Sequence, residues 1–352
     1  MTSWNAGMAV PDWPLSFGGF NPAGWWSNWA VRLEHGHRLL AGCVALAVAL
    51  LCSAVWHNWR AMLFAVTATV LSTVGGRLWG VEKSVMAHLG IWPAALVFTV
   101  TLLLKKSPGE PMFSGPGRRD GGVGRLERGL SLTAFVLVCM QATLGGLRVT
   151  RETAGFIDLA QTLRIVHGCV AQAFLMMLVA LSVRLSLAGG RVEPSGFNLR
   201  SLAGSAWVAV GALYCQLILG AAMRHLGVGL AIPSFPEADP SGSWIPQAQD
   251  GYTLLNFSHT RMGALLVAAL VVVAIFRTLR GAPGVAYAKP LALTAGLTLV
   301  GQITLGILVV LNQKPPTLTT FHVFLGAALL ACLTALAVSL DERLSSPKGE
   351  YL

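Results

Sequence analysis

Apolar residues along this chain gather into uninterrupted stretches, each close to the roughly 20 residues a helix needs to cross a bilayer core. They fall near 38–56, 61–80, 85–104, 129–147, 165–183, 202–222, 260–276, 290–311 and 320–339. The pattern predicts an all-α, polytopic transmembrane helix bundle of about nine spans. Composition agrees: of 352 residues, 54% are hydrophobic and only 11% charged, where a soluble domain carries about 25% charged residues.

The net charge of +10 invites a nucleic-acid reading, but the placement of the charges argues for topology instead. Residues 105–128 hold Lys105, Lys106, Arg118, Arg119, Arg125 and Arg128, which makes this loop cytoplasmic by the positive-inside rule. Counting spans outward puts 57–60, 184–201, 277–289 and the C-terminal tail on the same side, and these segments together carry 15 of the 25 Lys and Arg. The 223–257 loop falls outside, with Arg224 set against Glu237, Asp239 and Asp250. Contact with anionic lipid is a by-product of this arrangement. Residues 1–36 also fall outside, without the basic and apolar regions of a secretory signal. All six cysteines (43, 52, 139, 169, 215 and 332) lie in apolar spans and read as small buried hydrophobes.

The chain repeats itself. "AGMAVPDWP" (6–14) is followed 23 residues later by His37, and "GLAIPSFP" (229–236) is followed at the same distance by His259. At an offset of 222, Pro11 meets Pro233, Pro14 meets Pro236 and Glu34 meets Asn256. A second echo joins "MQATLGG" (140–146) to "GQITLGI" (301–307), each followed by a histidine-bearing helix with His167 or His322. The expectation is two tandem half-bundles, 1–190 and 200–340. Residues 61–104 form an inserted hairpin, and His88 within it belongs to a third, weaker copy of the glycine-then-histidine pair. The repeat also predicts a counterpart of span 202–222 upstream of Met1.

His37, His167, His259 and His322 all sit early in helices running inward from the outer face, so four imidazoles share one depth near the outer leaflet. Ionisable side chains at membrane depth are costly and mark sites. Two histidines on facing helices can ligate a heme iron from both sides, with glycine and alanine leaving room for the macrocycle. Helix counting favours His88 as the partner of His37, whereas the richness of the surrounding motifs favours His167. His57 and His225 read as solvated, and His35 as interfacial. No CxxC or HExxH spacing supports zinc, and "GGLRVT" lacks the residues of a phosphate loop.

One feature breaks the symmetry: Glu34 stands about one turn before His37, while the other half has Asn256. A carboxylate beside one heme can accept a proton or take part in an oxidation at the porphyrin edge. The alternative is an interfacial Glu paired with Arg32 or Arg38. Arg38 and Arg261 can each hold a heme propionate.

Together, "AGMAVPDWP", "EHGHR", "LGGLRVT…HGCVAQAF", "RHLGVGLAIPSFP", "FSHTR" and "FHVFLGAALL" resemble the heme A synthase family over nearly the whole chain. The resemblance implies two four-helix halves with histidines paired within each. His259 and His322 would ligate a heme b cofactor. His37 and His167 would hold heme O, the substrate, whose C8 methyl is oxidised to a formyl to give heme A, with Glu34 matching the catalytic glutamate. It also implies an electron donor, heme O synthase and terminal oxidase subunits as partners. An oligomer is compatible with this reading, and nucleic acid has no part in it. The missing first helix, the inserted hairpin and the lack of an outer-loop cysteine pair depart from the family pattern. A di-heme b-type electron carrier and a non-catalytic heme carrier remain as alternatives. A transporter would want charges at the membrane midplane, which are absent.

Overall fold

The computed structural model describes residues 7–13, 16–19, 21–78, 83–104, 123–187, 199–248, 250–282, 285 and 287–341; within 73–89 only the backbone is described. Among the described residues the regular structure is helical: α1 (Trp29–Val55), α2 (Arg60–Leu78), α3 (Lys83–Leu104), α4 (Arg125–Thr153), α5 (Ile157–Leu187), α6 (Leu199–His225), α7 (Gly251–Phe257), a π-turn (Ser258–Gly263), α8 (Ala264–Gly281), α9 (Ala288–Leu311) and α10 (Pro316–Leu340). A helix stands at each of the nine predicted places, with α7, the π-turn and α8 forming one rod, Gly251–Gly281. Seven helices among the described residues are long and apolar enough to cross a membrane. Apolar side chains on these helices are exposed, as on lipid-facing surfaces; Leu40, Leu297 and Phe324 are examples. The protein is an integral membrane protein.

Helix starts differ from the apolar boundaries in a way that matters for the site. Hydropathy places starts near 38, 165, 260 and 320, whereas the helices begin at Trp29, Ile157, Gly251 and Pro316. Local chemistry explains the extra turns. The Asn28 side chain accepts from the amides of Ala30 and Val31 at 3.0 and 3.3 Å. Asp250 caps α7 through Tyr252 and Thr253, at 2.9 and 3.0 Å. The Thr253 hydroxyl and the nearby amides keep the Asp250 carboxyl below its ordinary range, so it remains a charged acceptor at a helix N-terminus. Pro315 and Pro316 open α10, where missing amide hydrogens cost nothing. The four histidines therefore lie six to ten residues inside their helices, or roughly 9–15 Å along the axis.

The chain divides into two compact units, one built on Met1–Val170 and the other on Ala171–Pro347, with the division falling inside α5. In the first unit α1 packs on α4, α2 on α3, and α3 on α4. Phe98 meets Phe135 at 4.3 Å, and the Trp56 indole donates to the Arg128 carbonyl at 3.2 Å. The segment 7–13 folds back onto this unit. A methyl group at Gly146 would sit 2.6 Å from the Trp13 ring, so the indole lies flat on bare α4 backbone. Gly146→Ala is expected to push Trp13 off α4 and to cost about 1–3 kcal/mol, as overpacking does. A thermal melt in detergent checks this.

The core of the second unit is built from α6, α8, α9 and α10. Ala203, Ala206, Ala209, Ala292 and Ala295 let the backbones approach, and Leu329, Leu330, Leu333 and Leu336 fill between them. Small residues at helix contacts are the usual solution in lipid, where hydrophobic burial alone does not hold helices together. Among the described residues, none of the six cysteines is in a disulfide.

Candidate functional site

In the second unit, two imidazoles are held in the same way. The Nδ1 of His259 lies 3.1 Å from the Gln216 carbonyl oxygen on α6, and the Nδ1 of His322 lies 3.1 Å from the Gln302 carbonyl oxygen on α9. A helix carbonyl has a second lone pair beyond its ladder bond, so each Nδ1–H has an acceptor. That fixes the tautomer and leaves Nε2 as the nitrogen with a lone pair for a metal. Each ring rests on a glycine. A Cβ at Gly220 would stand 2.6 Å from His259 Cε1, and one at Gly306 would stand 3.1 Å from His322 Cε1. The two imidazoles are near enough for the charge of one to act on the other.

His259 lies within the π-turn. The two halves read "EHGHR" (34–38) and "NFSHTR" (256–261), so the second carries Thr260 as one extra residue between histidine and arginine. A π-turn is how a helix accommodates one added residue, and Arg261 thereby keeps the reach of its counterpart Arg38. The buried Arg261 guanidinium donates to the carbonyls of Ser234 and Glu237 at 2.8 Å and of Pro236 at 3.3 Å, and to the Thr260 hydroxyl at 2.8 Å. It also stacks 5.7 Å from the centre of the Phe235 ring. Arg38 does the same for the first loop, donating to Val10 and Asp12 carbonyls at 2.8 and 2.5 Å. The proline-aromatic-proline loop recurs with the histidine because one arginine beside each histidine grips it.

Arg261→Ala leaves three loop carbonyls without their charged donor. Such bonds are worth about 1.5–3 kcal/mol each. Faster amide exchange and proteolysis confined to 229–237 are the expected result, read by exchange mass spectrometry.

The first unit is built around Glu34. Its side chain is 1% exposed, and both oxygens are engaged: Oε2 accepts the Val10 amide at 3.0 Å and Oε1 accepts Arg38 at 3.0 Å. Arg148 of α4 lies 3.9 Å from Oε1 and donates to the Gly7 carbonyl at 3.1 Å. The counterpart Asn256 is also fully buried, but it donates, to the Val228 carbonyl at 2.9 Å. Each half thus ties a loop to a buried polar side chain one turn before its histidine, as acceptor in one and donor in the other.

His37 lies in the electrostatic field of Arg148 and Arg38. His167 rests on α4, with its Cε1 3.4 Å from where a Cβ of Gly145 would be. Gly145 is three residues from Arg148 and hence on a neighbouring part of the same helix face, so α4 is common ground for both histidines of this unit. The side chain of His88 lies outside the described residues, as does the basic loop over 105–122. His35 is buried, with Nδ1 2.8 Å from the Ser16 hydroxyl and its ring against Trp25, so it organises the N-terminal segment. His57 sits at a turn with positive φ.

Sequence reasoning missed two contributors. Arg148 stands in "GGLRVT" without any local sign that it would face Glu34. The glutamines did leave a signal: Gln-x-x-Leu-Gly occurs at 141–145, 302–306 and also 216–220. In all three copies the glycine underlies a histidine ring of another helix.

Residues 31–334 match the COX15-CtaA family, described as cytochrome oxidase assembly protein. The chain belongs to this family. Among curated relatives it is 30% identical over 240 residues to heme A synthase of Bradyrhizobium diazoefficiens, covering 64% of this chain and 62% of that protein. It is 26% identical over 214 residues to heme A synthase of Erythrobacter litoralis, covering 58% and 60% respectively. The chain thus aligns with somewhat under two thirds of the length of each of these relatives. Within the COX15-CtaA match lie all four histidines, Glu34 and the arginines that grip the loops.

Proposed function

We propose that the protein is a heme A synthase, an oxidoreductase that converts the C8 methyl of heme O to a formyl group. The observation that carries this reading is the pair of half-buried imidazoles, His259 and His322, each with Nδ1 on a helix carbonyl, so that each Nε2 keeps the lone pair a metal would take. This donor set fits a heme: imidazole nitrogens, glycines where side chains would fill the space, and an apolar surround. Heme b bound there would supply one-electron relay chemistry.

The other half takes heme O as substrate, between His37 and His167, and Glu34 stands one turn from His37. Arg38 and Arg148 fix the position of that carboxylate, so it meets the reacting edge without first being reorganised. There it stabilises positive charge that develops on the substrate, or accepts the proton released as the methyl carbon is oxidised. The loops gripped by Arg38 and Arg261 keep water from each histidine site. A heme propionate reaching either arginine would compete with the loop carbonyls. The histidine-bearing ends face outward and the C-terminus faces the cytoplasm, where the basic loops gather. Taking a methyl to a formyl removes electrons from the carbon and adds an oxygen atom. An oxidant and oxygen source such as dioxygen is therefore required, with an electron donor to complete the reduction of dioxygen to water. Heme O synthase and terminal oxidase subunits are the natural neighbours.

A second reading, a heme-binding protein that leaves heme unchanged, draws on one observation: both Glu34 oxygens are already engaged in holding structure. Expression in a host that makes heme O separates the two. Heme A and its hydroxylated precursor, found by mass spectrometry only when the protein is present, support the synthase. Unchanged heme O with heme b alone supports the second reading.

A further inference from the structure

We propose that Gln216 is the positioning residue for His259, gripping it at two points so that its ring is preset for metal, while Gln302 is a displaceable partner of His322. This inference rests on the reading of His259 and His322 as heme ligands.

The three Gln-x-x-Leu-Gly copies treat their histidines differently. Gln216 holds His259 through two separate atoms. Its backbone carbonyl takes the Nδ1–H at 3.1 Å, and its side-chain amide donates to the His259 carbonyl at 2.5 Å. That carbonyl belongs to the π-turn, where main-chain bonding shifts from four-residue to five-residue spacing. The amide therefore braces the helix where its own ladder is irregular. Room for the Gln216 side chain comes from Gly263: a Cβ there would stand 2.1 Å from Gln216 Oε1. Gly220, one turn along α6, supports the face of the same ring. Ring, backbone and tautomer of His259 are all set from a single residue and its glycines.

Gln302 is arranged otherwise. Its backbone carbonyl takes the Nδ1 of His322, but its amide nitrogen lies 3.3 Å from the Nε2 of the same ring. Nε2 is the atom a metal would take. The Gln302 amide thus occupies the ligating lone pair and must turn aside when metal binds. Gln141, in the third copy, donates to the His167 carbonyl at 3.0 Å, as Gln216 does to His259. The two ligands of one heme would then differ: His259 is preset, and His322 is released on binding.

The opposed roles predict opposed effects. Full-length protein produced under restricted heme supply is titrated with hemin in detergent, following the Soret band, and the loaded protein is examined by electron paramagnetic resonance. Loss of an outer partner of a metal-ligating histidine ring costs about 10–100-fold in affinity. Gln216→Leu keeps the backbone carbonyl that takes the Nδ1–H and removes only the brace on the His259 carbonyl, so a weaker loss than that is expected, together with a shifted low-spin signal. Gln216→Glu, which keeps the shape but removes the donor, is expected to fall in the same direction, and it serves as the test if Gln216→Leu does not fold. Gln302→Leu is expected to bind as tightly as the unaltered protein or more tightly. The inference is overturned if both Gln216 variants keep the original affinity and signal while His259→Ala loses heme, or if Gln302→Leu weakens binding as much as Gln216→Leu. If His259→Ala and His322→Ala themselves keep full affinity, the ligand assignment beneath the inference fails, and the inference with it.

Discussion

Glu34→Ala is expected to abolish heme A formation and to destabilise the first unit at the same time. Removing the carboxylate leaves Arg38 and Arg148, whose side chains are only 13% and 15% exposed, facing each other across an empty site. It also strips the Val10 amide of its acceptor. Breaking a buried ion pair by deleting one partner costs about 3–5 kcal/mol. Glu34→Gln separates the two consequences. An amide still offers an oxygen to Val10 or Arg38, so most of the stability should return, whereas the negative charge does not. Catalysis that depends on the carboxylate stays lost in Glu34→Gln, and activity that merely needs an intact loop recovers. Detergent melting temperature and heme A yield, measured on both variants, distinguish these outcomes.

Gly263→Ala is the steric counterpart in the second unit. The added methyl would lie 2.1 Å from Gln216 Oε1 and 2.6 Å from the Ser258 carbonyl oxygen, and the latter is backbone that cannot swing away. The π-turn must open or revert to ordinary helix. Reversion changes the direction of every side chain beyond it by about 100°, the angular step of one residue. Arg261 would leave its carbonyls and His259 its Gln216 contacts, so loss of heme from this unit and a mobile 229–237 loop should appear together. Gly42→Ala, in the α1 segment that has no π-turn and where a Cβ meets only open space, should change neither. Heme content and amide exchange, measured side by side, read both effects.

Much of the fold is written plainly in the chain, because lipid imposes a severe rule: backbone must be helical and spans must be apolar for about 20 residues. The nine helical rods among the described residues and the tandem proline-aromatic-proline loops follow from that rule and from the internal repeat. The turns added before the histidines were not visible to hydropathy. They mix polar with apolar residues, and in α1 and α7 they are started by the Asn28 and Asp250 caps; capping is a local hydrogen-bond event rather than a composition. The repeated placement of the four histidines early in their helices was legible. Their partners were not, for two reasons. A hydrogen bond to a helix carbonyl leaves no mark on the residue supplying it. The meeting of Arg148 with Glu34, across 114 positions of chain, depends on how α4 packs on α1. The one-residue difference between "EHGHR" and "NFSHTR" was on the page, but its consequence, a π-turn at His259, needed the backbone.

The proposed function requires the two halves to do different work. The measurement that tests this most directly is the identity of the hemes that copurify with paired variants from a host that makes heme O, read by mass spectrometry. With His259→Ala and His322→Ala, heme b should vanish while heme O stays bound and unconverted. With His37→Ala and His167→Ala, heme b should remain in full and heme O and heme A should vanish. Loss of both hemes in proportion from every variant, or heme b following His37 and His167, would contradict the account.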